Sequence, residues 1–130
     1  MSARLAILYV DDDDDIRTIV ELALGLDPDI ELRSAMSGPA ALAMLAEGGW
    51  RPQAVLLDVM MPGMDGPAVM DALRAIDGLA EVPVIFMTAR TRDADVAGYR
   101  ARGAIDVIAK PFDPLSLAAR VRAIVGRARP

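Results

Sequence analysis

The chain has 130 residues, 54% of them hydrophobic, and a formal net charge of −5; this is the size of one domain, with enough apolar material for a single core without a metal or disulfide staple. Cysteine and histidine are both absent, which excludes a disulfide framework, thiolate zinc sites and any thiol or imidazole chemistry carried by this chain; a bound metal has to be held by oxygen, which favours Mg²⁺ or a similar hard cation. An acidic domain is a poor binder of nucleic acid or anionic membrane by itself, no segment is apolar enough to span a bilayer, and Met1-Ser2-Ala3-Arg4 shows no signal-peptide layout, so the expected compartment is the cytoplasm.

Short apolar runs alternate with stretches of helical spacing. Leu5 to Val10 reads as a buried strand, ended by the acidic run Asp11 to Asp15, after which Ile16, Ile19, Val20, Ala23 and Leu24 repeat at helical spacing. Ile30 to Ser34 is a weaker second strand after the Asp27-Pro28 turn; Ser37 reads as an N-cap, with Pro39 tolerated in the first turn before Leu42, Met44 and Leu45. Ala54 to Leu57 is the third strand, with Asp58 at its end. Met61 to Gly66 is a loop, and Val69, Met70, Leu73 and Ile76 mark the next helix. Val82 to Met87 is the fourth strand, ending at Thr88; the helix over 93–102 carries few apolar residues and is expected to pack least firmly. Ala104 to Ala109 is the fifth strand, ending at Lys110-Pro111. The last helix starts with Asp113 as N-cap, Pro114 at its first position and Phe112 placed to staple against Leu117, and its apolar stripe runs through Leu117, Val121, Ile124 and Val125. Strict alternation with nearly continuous apolar strands predicts an α/β domain over 1–130, a parallel sheet covered on both faces.

In a doubly wound sheet, ligands bind beyond the carboxyl ends of the strands. The residues there are Asp11 and Asp12 after the first strand, Asp58 after the third, Thr88 after the fourth and Lys110 after the fifth; the second offers only Ser34 and Ala35. Three carboxylates in one crevice repel, and a divalent cation is their natural neutraliser. Aspartate can attack phosphorus to form an acyl phosphate. Phosphoryl transfer then asks mainly for positioning and for charge on the equatorial oxygens, which Mg²⁺, Lys110 and the Thr88 hydroxyl can supply.

The segments Ile7-Leu8-Tyr9-Val10-Asp11-Asp12, Leu56 to Gly66 (LLDVMMPGMDG), Met87-Thr88-Ala89 and Lys110-Pro111-Phe112 resemble, in order and over essentially the whole chain, the receiver domain of two-component response regulators, of the single-domain chemotaxis-regulator kind. That resemblance implies a flavodoxin-like sheet of five parallel strands in the order 2-1-3-4-5 with five helices. It implies Asp58 as phospho-acceptor, Asp12 as a direct Mg²⁺ ligand, Asp11 acting largely through water, and the Met60 carbonyl completing the protein ligands. Thr88 is then the switch hydroxyl, Lys110 pairs with the phosphoryl group, and the Lys110–Pro111 bond is cis. The implied partners are a histidine kinase or histidine phosphotransfer protein and a downstream protein target that the sequence does not name. One position departs from the pattern: the fifth-strand residue that is usually Tyr or Phe is Val107, so the usual aromatic relay from Thr88 is in question. Met60 and Arg90, each two residues beyond a site residue, flank the crevice.

Simpler roles fit several residues better. Asp13, Asp14 and Asp15 read as a solvated acidic helix start, Asp65 as a helix cap, Gly66 and Pro67 as turn chemistry, and the methionines as core. Arg120, Arg122, Arg127 and Arg129 read as a solvated face of the last helix. The expected function is a phosphorelay switch with output by protein–protein contact, alone or as the receiver part of a longer regulator. A phosphatase with an aspartyl-phosphate intermediate would carry a second acid two residues after Asp58, where Met60 stands. A flavin-binding domain would not place five aspartates after its first strand. An inert scaffold is at odds with the intact acidic set.

Overall fold

The computed structural model describes residues 3–128; Met1, Ser2, Arg129 and Pro130, and with them the readings made for the extreme N-terminus and for Arg129, lie outside the described residues. Ten elements alternate: β1 Leu5–Val10, α1 Asp14–Gly25, β2 Ile30–Ala35, α2 Gly38–Ala46, β3 Ala54–Asp58, α3 Gly66–Leu73, β4 Val84–Thr88, α4 Asp93–Arg102, β5 Asp106–Ala109 and α5 Leu117–Ala128. The strands form one parallel sheet in the order β2-β1-β3-β4-β5, as expected. Among the described residues no helix is long and apolar enough to cross a membrane.

The alternation of side chains along each strand divides the core into two layers. On one face Leu8, Val10, Val55, Leu57, Val84, Phe86 and Val107 pack with α2 and α3 through Ala41, Leu45, Val69, Met70 and Leu73. On the other, Ile7, Tyr9, Leu56, Ile85, Met87 and Ile108 pack with α1 and α5 through Val20, Ala23, Leu24, Leu117, Val121, Ile124 and Val125. β3 and β4 are buried along their whole length, which is why their sequences are apolar without alternation.

Local capping sets the helix starts. The Asp13 carboxylate accepts from the Asp15 and Ile16 amides, Ser37 Oγ from the Ala40 amide and Asp65 from the Ala68 amide, satisfying donors that a helix N-terminus leaves open. At α4 no side chain caps the start and none of its residues is buried; Val96 and Tyr99 are the residues of α4 that rest, half-buried, on the core.

Several boundaries differ from the sequence reading. β4 begins at Val84, because Pro83 has no amide to donate to the ladder, and β5 begins at Asp106. α3 starts at Gly66 under its Asp65 cap and ends at Leu73, which leaves Ile76 in the following turn. Asp113 caps a turn over 114–116, with its carboxylate accepting from the Leu115 amide, and the α-helix itself starts at Leu117. Met36 and Met60 are exposed instead of buried. Arg122 is not part of a freely solvated face: it is half-buried and pairs with Asp27, tying α5 to the α1–β2 turn. Arg127 pairs with Asp106 on β5, and Arg120 reaches the Val107 carbonyl.

One side chain ties the end of α3 to the start of β4 and the end of α4. Arg74 donates to the carbonyls of Ala80, Val82 and Gly103 at 3.0–3.1 Å. A charged donor on carbonyls is among the stronger hydrogen bonds, and its loss leaves loop carbonyls without their protein partners. Arg74→Ala is expected to destabilise the fold by about 2 kcal/mol, read as a lower urea midpoint with an unchanged slope.

Candidate functional site

The sheet order reverses at β1 and β3, and the loops after these two strands meet over the crevice between them. Register sets the depth of each residue. Val10 pairs with Leu57, so Asp11 stands level with Asp58; Asp58 pairs with Met87, so Thr88 is one step further out; Thr88 pairs with Ala109, so Lys110 is a further step out. Backbone bonds carry these ladders into the loops: Asp11 N–H to the Ala35 carbonyl, Val59 N–H to the Met87 carbonyl and Lys110 N–H to the Thr88 carbonyl.

Side-chain alternation then decides the company each keeps. Tyr9 and Asp11, Leu56 and Asp58, and Ile108 and Lys110 are two apart, so all three polar groups extend the layer that α1 and α5 cover. Their contacts follow. Lys110 Nζ donates to Asp58 Oδ1 at 2.9 Å and to Asp11 Oδ2 at 3.2 Å. Asp11 is fully buried and Asp58 is 5% exposed, whereas Asp12 is exposed. One carboxylate oxygen from each of Asp11, Asp12 and Asp58 lies within 4.8 Å of the others. This all-oxygen, acidic donor set fits a hard divalent cation, and the exposure of Asp12 leaves room for water in its shell.

Asp11 is held more firmly than the sequence suggests. Its Oδ1 accepts from the Asp13 amide at 2.9 Å, its Oδ2 from the Tyr9 hydroxyl at 2.5 Å, and its carbonyl from Arg17 Nη1 at 2.9 Å; Arg17 is itself paired with Asp14. By contrast, among the described residues Lys110 is the donor to Asp58 Oδ1 and none reaches Asp58 Oδ2. No buried side-chain oxygen there lacks a partner. Asp58 Oδ2 therefore opens to solvent in the crevice.

Burial pushes the Asp58 carboxyl above the ordinary carboxylate range; the Lys110 hydrogen bond opposes the rise and the charges of Asp11 and Asp12 add to it. For Lys110, burial works against the ammonium, but the bond to Asp58 and the charge of Asp11 outweigh it and its pKa is raised. Lys110 is therefore a permanent cation in the site at neutral pH.

Gly66 sits where the α3 N-terminus crosses the loop after β3. A Cβ there would stand 2.7 Å from the Asp58 carbonyl oxygen and 3.0 Å from Val59 Cα, so glycine at this place is a matter of close backbone approach, not of turn conformation alone. Met61 is buried beside it, while the Met60 side chain is 65% exposed. The Lys110–Pro111 bond is cis.

Thr88 is buried, yet its hydroxyl accepts from the Arg90 amide at 3.0 Å and, among the described residues, makes no bond to Asp58 or Lys110. Its strand parity places it with Phe86 on the α3 and α4 side of the sheet, opposite Lys110. Arg90 is exposed, in a hollow lined also by Ala89, Thr91, Arg92 and Asp95. Val107 is buried and lies level with Phe86 on the neighbouring strand. The Phe86 ring meets Tyr99 of α4 edge-on, with centroids 5.4 Å apart and planes at 88°. The large ring in this layer thus comes from β4, beside a small residue on β5. Neither the Phe86–Tyr99 contact nor the Tyr9 bond is part of the sequence reading; the signal available for both is an aromatic inside an aliphatic strand.

The sequence pattern that defines the response regulator receiver domain matches residues 7–122. The chain is 43% identical over 122 residues to the transcriptional regulatory protein PrrA of Mycobacterium tuberculosis, covering 93% of this chain and 50% of that one. It is 39% identical to the transcriptional regulatory protein AfsQ1 of Streptomyces coelicolor, covering 94% and 52%. The chain therefore spans about half the length of the curated relatives it matches. Among solved structures, the chemotaxis protein CheY4 of Vibrio cholerae superposes with a TM-score of 0.82 at 30% identity, over 94% of this chain and 99% of that one.

The raised Asp58 pKa fixes a sign. A carboxyl whose folded pKa lies above its unfolded value destabilises the fold once it is ionised, so stability falls as pH rises from the unfolded to the folded pKa. Asp58→Asn is accordingly expected to raise the thermal midpoint in metal-free buffer at neutral pH. The gain is expected to vanish below the ordinary carboxylate range, where wild-type Asp58 is also neutral; differential scanning calorimetry at the two pH values checks both.

Proposed function

The chain belongs to the response regulator receiver domain family, and from that premise we propose that it works as a phosphorylation switch whose acceptor is Asp58. The observation that carries this reading is the unequal use of the Asp58 oxygens: Oδ1 is held by Lys110 at 2.9 Å while Oδ2 opens into the crevice. A carboxylate so held keeps one oxygen as a nucleophile at a defined place.

Asp58 Oδ2 attacks the phosphorus of a phosphorylated histidine on a kinase or phosphotransfer protein. The N–P bond breaks with its electron pair going to the imidazole, and an acyl phosphate forms on Asp58. Lys110, already cationic and bonded to both buried carboxylates, orients Asp58 and offsets charge on the phosphoryl oxygens. The Thr88 hydroxyl becomes available to the phosphoryl group if it leaves the Arg90 amide, and that exchange is the proposed switch. Asp11, Asp12, Asp58 and the Met60 carbonyl would hold Mg²⁺, which supplies neutralising charge to the phosphoryl oxygens when bound. Asp12, exposed and without a protein partner among the described residues, suits a direct ligand, and Asp11, with both oxygens in use, suits contact through water.

This chain catalyses only changes at its own Asp58. A separate phosphatase is not favoured, because the position two residues on is Met60, whose exposed side chain can hold no proton. The relatives named as transcriptional regulators are about twice as long as this chain. Output therefore runs either through contact between this domain and a protein target or through a further domain of a longer regulator. Docking of α4 is the element to watch in both cases, since none of its residues is buried.

Acetyl phosphate with Mg²⁺ is expected to add one phosphoryl group to the protein, seen by intact mass, and Asp58→Asn to take none. A phosphorylated Asp58→Asn protein, or an unmodified wild type, removes the assignment. Mg²⁺ is expected to raise the thermal midpoint at neutral pH, since it binds the folded site alone, and Asp12→Ala to lose most of that gain.

A further inference from the structure

Tyr9 has no place in the chemistry described so far, yet it is the one fully buried tyrosine and its phenol points into the site. β1 is otherwise aliphatic over 5–10. An aliphatic side chain there would satisfy the core, whereas a buried hydroxyl needs a partner to offset its desolvation. The partner is Asp11 Oδ2, two residues on and on the same side of the strand. At 2.5 Å the bond has the length of a hydroxyl donating to an ionised carboxylate.

The same oxygen also accepts from Lys110 Nζ at 3.2 Å, longer than the 2.9 Å bond from Lys110 to Asp58. Tyr9 and Lys110 thus share one acceptor. The phenol supplies the close donor that a buried carboxylate requires, and Lys110 remains nearer to Asp58. With Tyr9 reduced to a phenyl ring, Lys110 would be the sole side-chain donor to Asp11 Oδ2 and would be drawn across from Asp58. Asp11 would also lose the anchor that sets its orientation toward Asp12 and the crevice.

We infer that Tyr9 is a positioning residue of the cation and phosphoryl site: it orients Asp11 and, by sharing Asp11 Oδ2, keeps Lys110 on Asp58. This rests on the metal-site reading proposed above. Groups that orient metal ligands from behind commonly change metal affinity by roughly tenfold or more when removed.

The test is Mg²⁺ titration by calorimetry on the whole chain, with Tyr9→Phe, Asp11→Asn, their double variant and Asp12→Ala. Tyr9→Phe is expected to weaken Mg²⁺ binding roughly tenfold in the wild-type background, and by less than about twofold once Asp11→Asn has removed the charged acceptor. A defect that persists in full in the Asp11→Asn background shows a packing effect and overturns the inference. Loss of binding in Asp12→Ala with none in Tyr9→Phe overturns the role of Tyr9 alone; unchanged binding in both overturns the metal assignment, and the Tyr9 role with it. A readout free of substitutions is the ¹³Cζ resonance of labelled tyrosine, because the chain holds two tyrosines. The Tyr9 signal is expected to shift with the calorimetric dissociation constant while Tyr99 stays still, and a Tyr9 signal indifferent to Mg²⁺ overturns the inference.

Discussion

Three carboxylate oxygens held within 4.8 Å of one another, two of them on buried residues, are the arrangement on which the carboxyl edge of this sheet depends. At about 5 Å and an effective dielectric of about 20, each pair of unit charges repels by about 3 kcal/mol. The fold offsets this with one cation, Lys110, shared between the two buried members, and with neutral donors on Asp11 from Tyr9 and the Asp13 amide. Asp58 still has a raised pKa, chiefly because it is buried, with the charges of Asp11 and Asp12 adding to the rise. A site left with that much negative charge at one edge is one that a divalent cation relieves.

The two faces of the sheet share the work unequally. Asp11, Asp58 and Lys110 project on the side covered by α1 and α5, whose apolar stripes are well buried and whose outer turns are joined by the Arg122–Asp27 pair. Thr88 projects on the other side, toward α4, which has no buried residue and no side-chain cap at its start. The layer between the sheet and the α1–α5 pair therefore holds the charges, while α4, with no buried residue, lies on the side of the Thr88 hydroxyl. Elements with few buried contacts are the ones that move at low cost.

On that second face, the large ring of the sheet lies on β4. Val107 leaves a small side chain on β5, and Phe86 on β4 fills the layer and meets Tyr99 of α4 edge-on. Total volume in a packed layer is constrained more tightly than the identity of the residue that supplies it. In this chain β4 meets α4 through a Phe–Tyr contact, and β5 carries no ring at that level.

Much of this was legible in the sequence because the relevant signals are local. Strand and helix alternation, the residues at the strand ends, and the caps Ser37 and Asp65 follow from periodicity and from contacts three residues apart, whereas Asp13, read as part of a solvated acidic start, caps α1. The gathering of these residues was readable for the same reason: Asp11, Asp12, Asp58, Thr88 and Lys110 stand at or just past strand ends, and a parallel sheet puts all such ends on one edge. What each of these residues bonds to was decided by the tertiary structure. Lys110 meets Asp58 across 52 residues and Asp11 across 99, and Arg122 meets Asp27 across 95; such pairings depend on strand order and register, which no local window contains. The burial of Arg122 differs from the sequence reading for that reason. Tyr9 is the sharpest case. Its place in a strand was set by the sequence, but only the packed structure turned its hydroxyl from a buried polar liability into the close donor on Asp11 Oδ2.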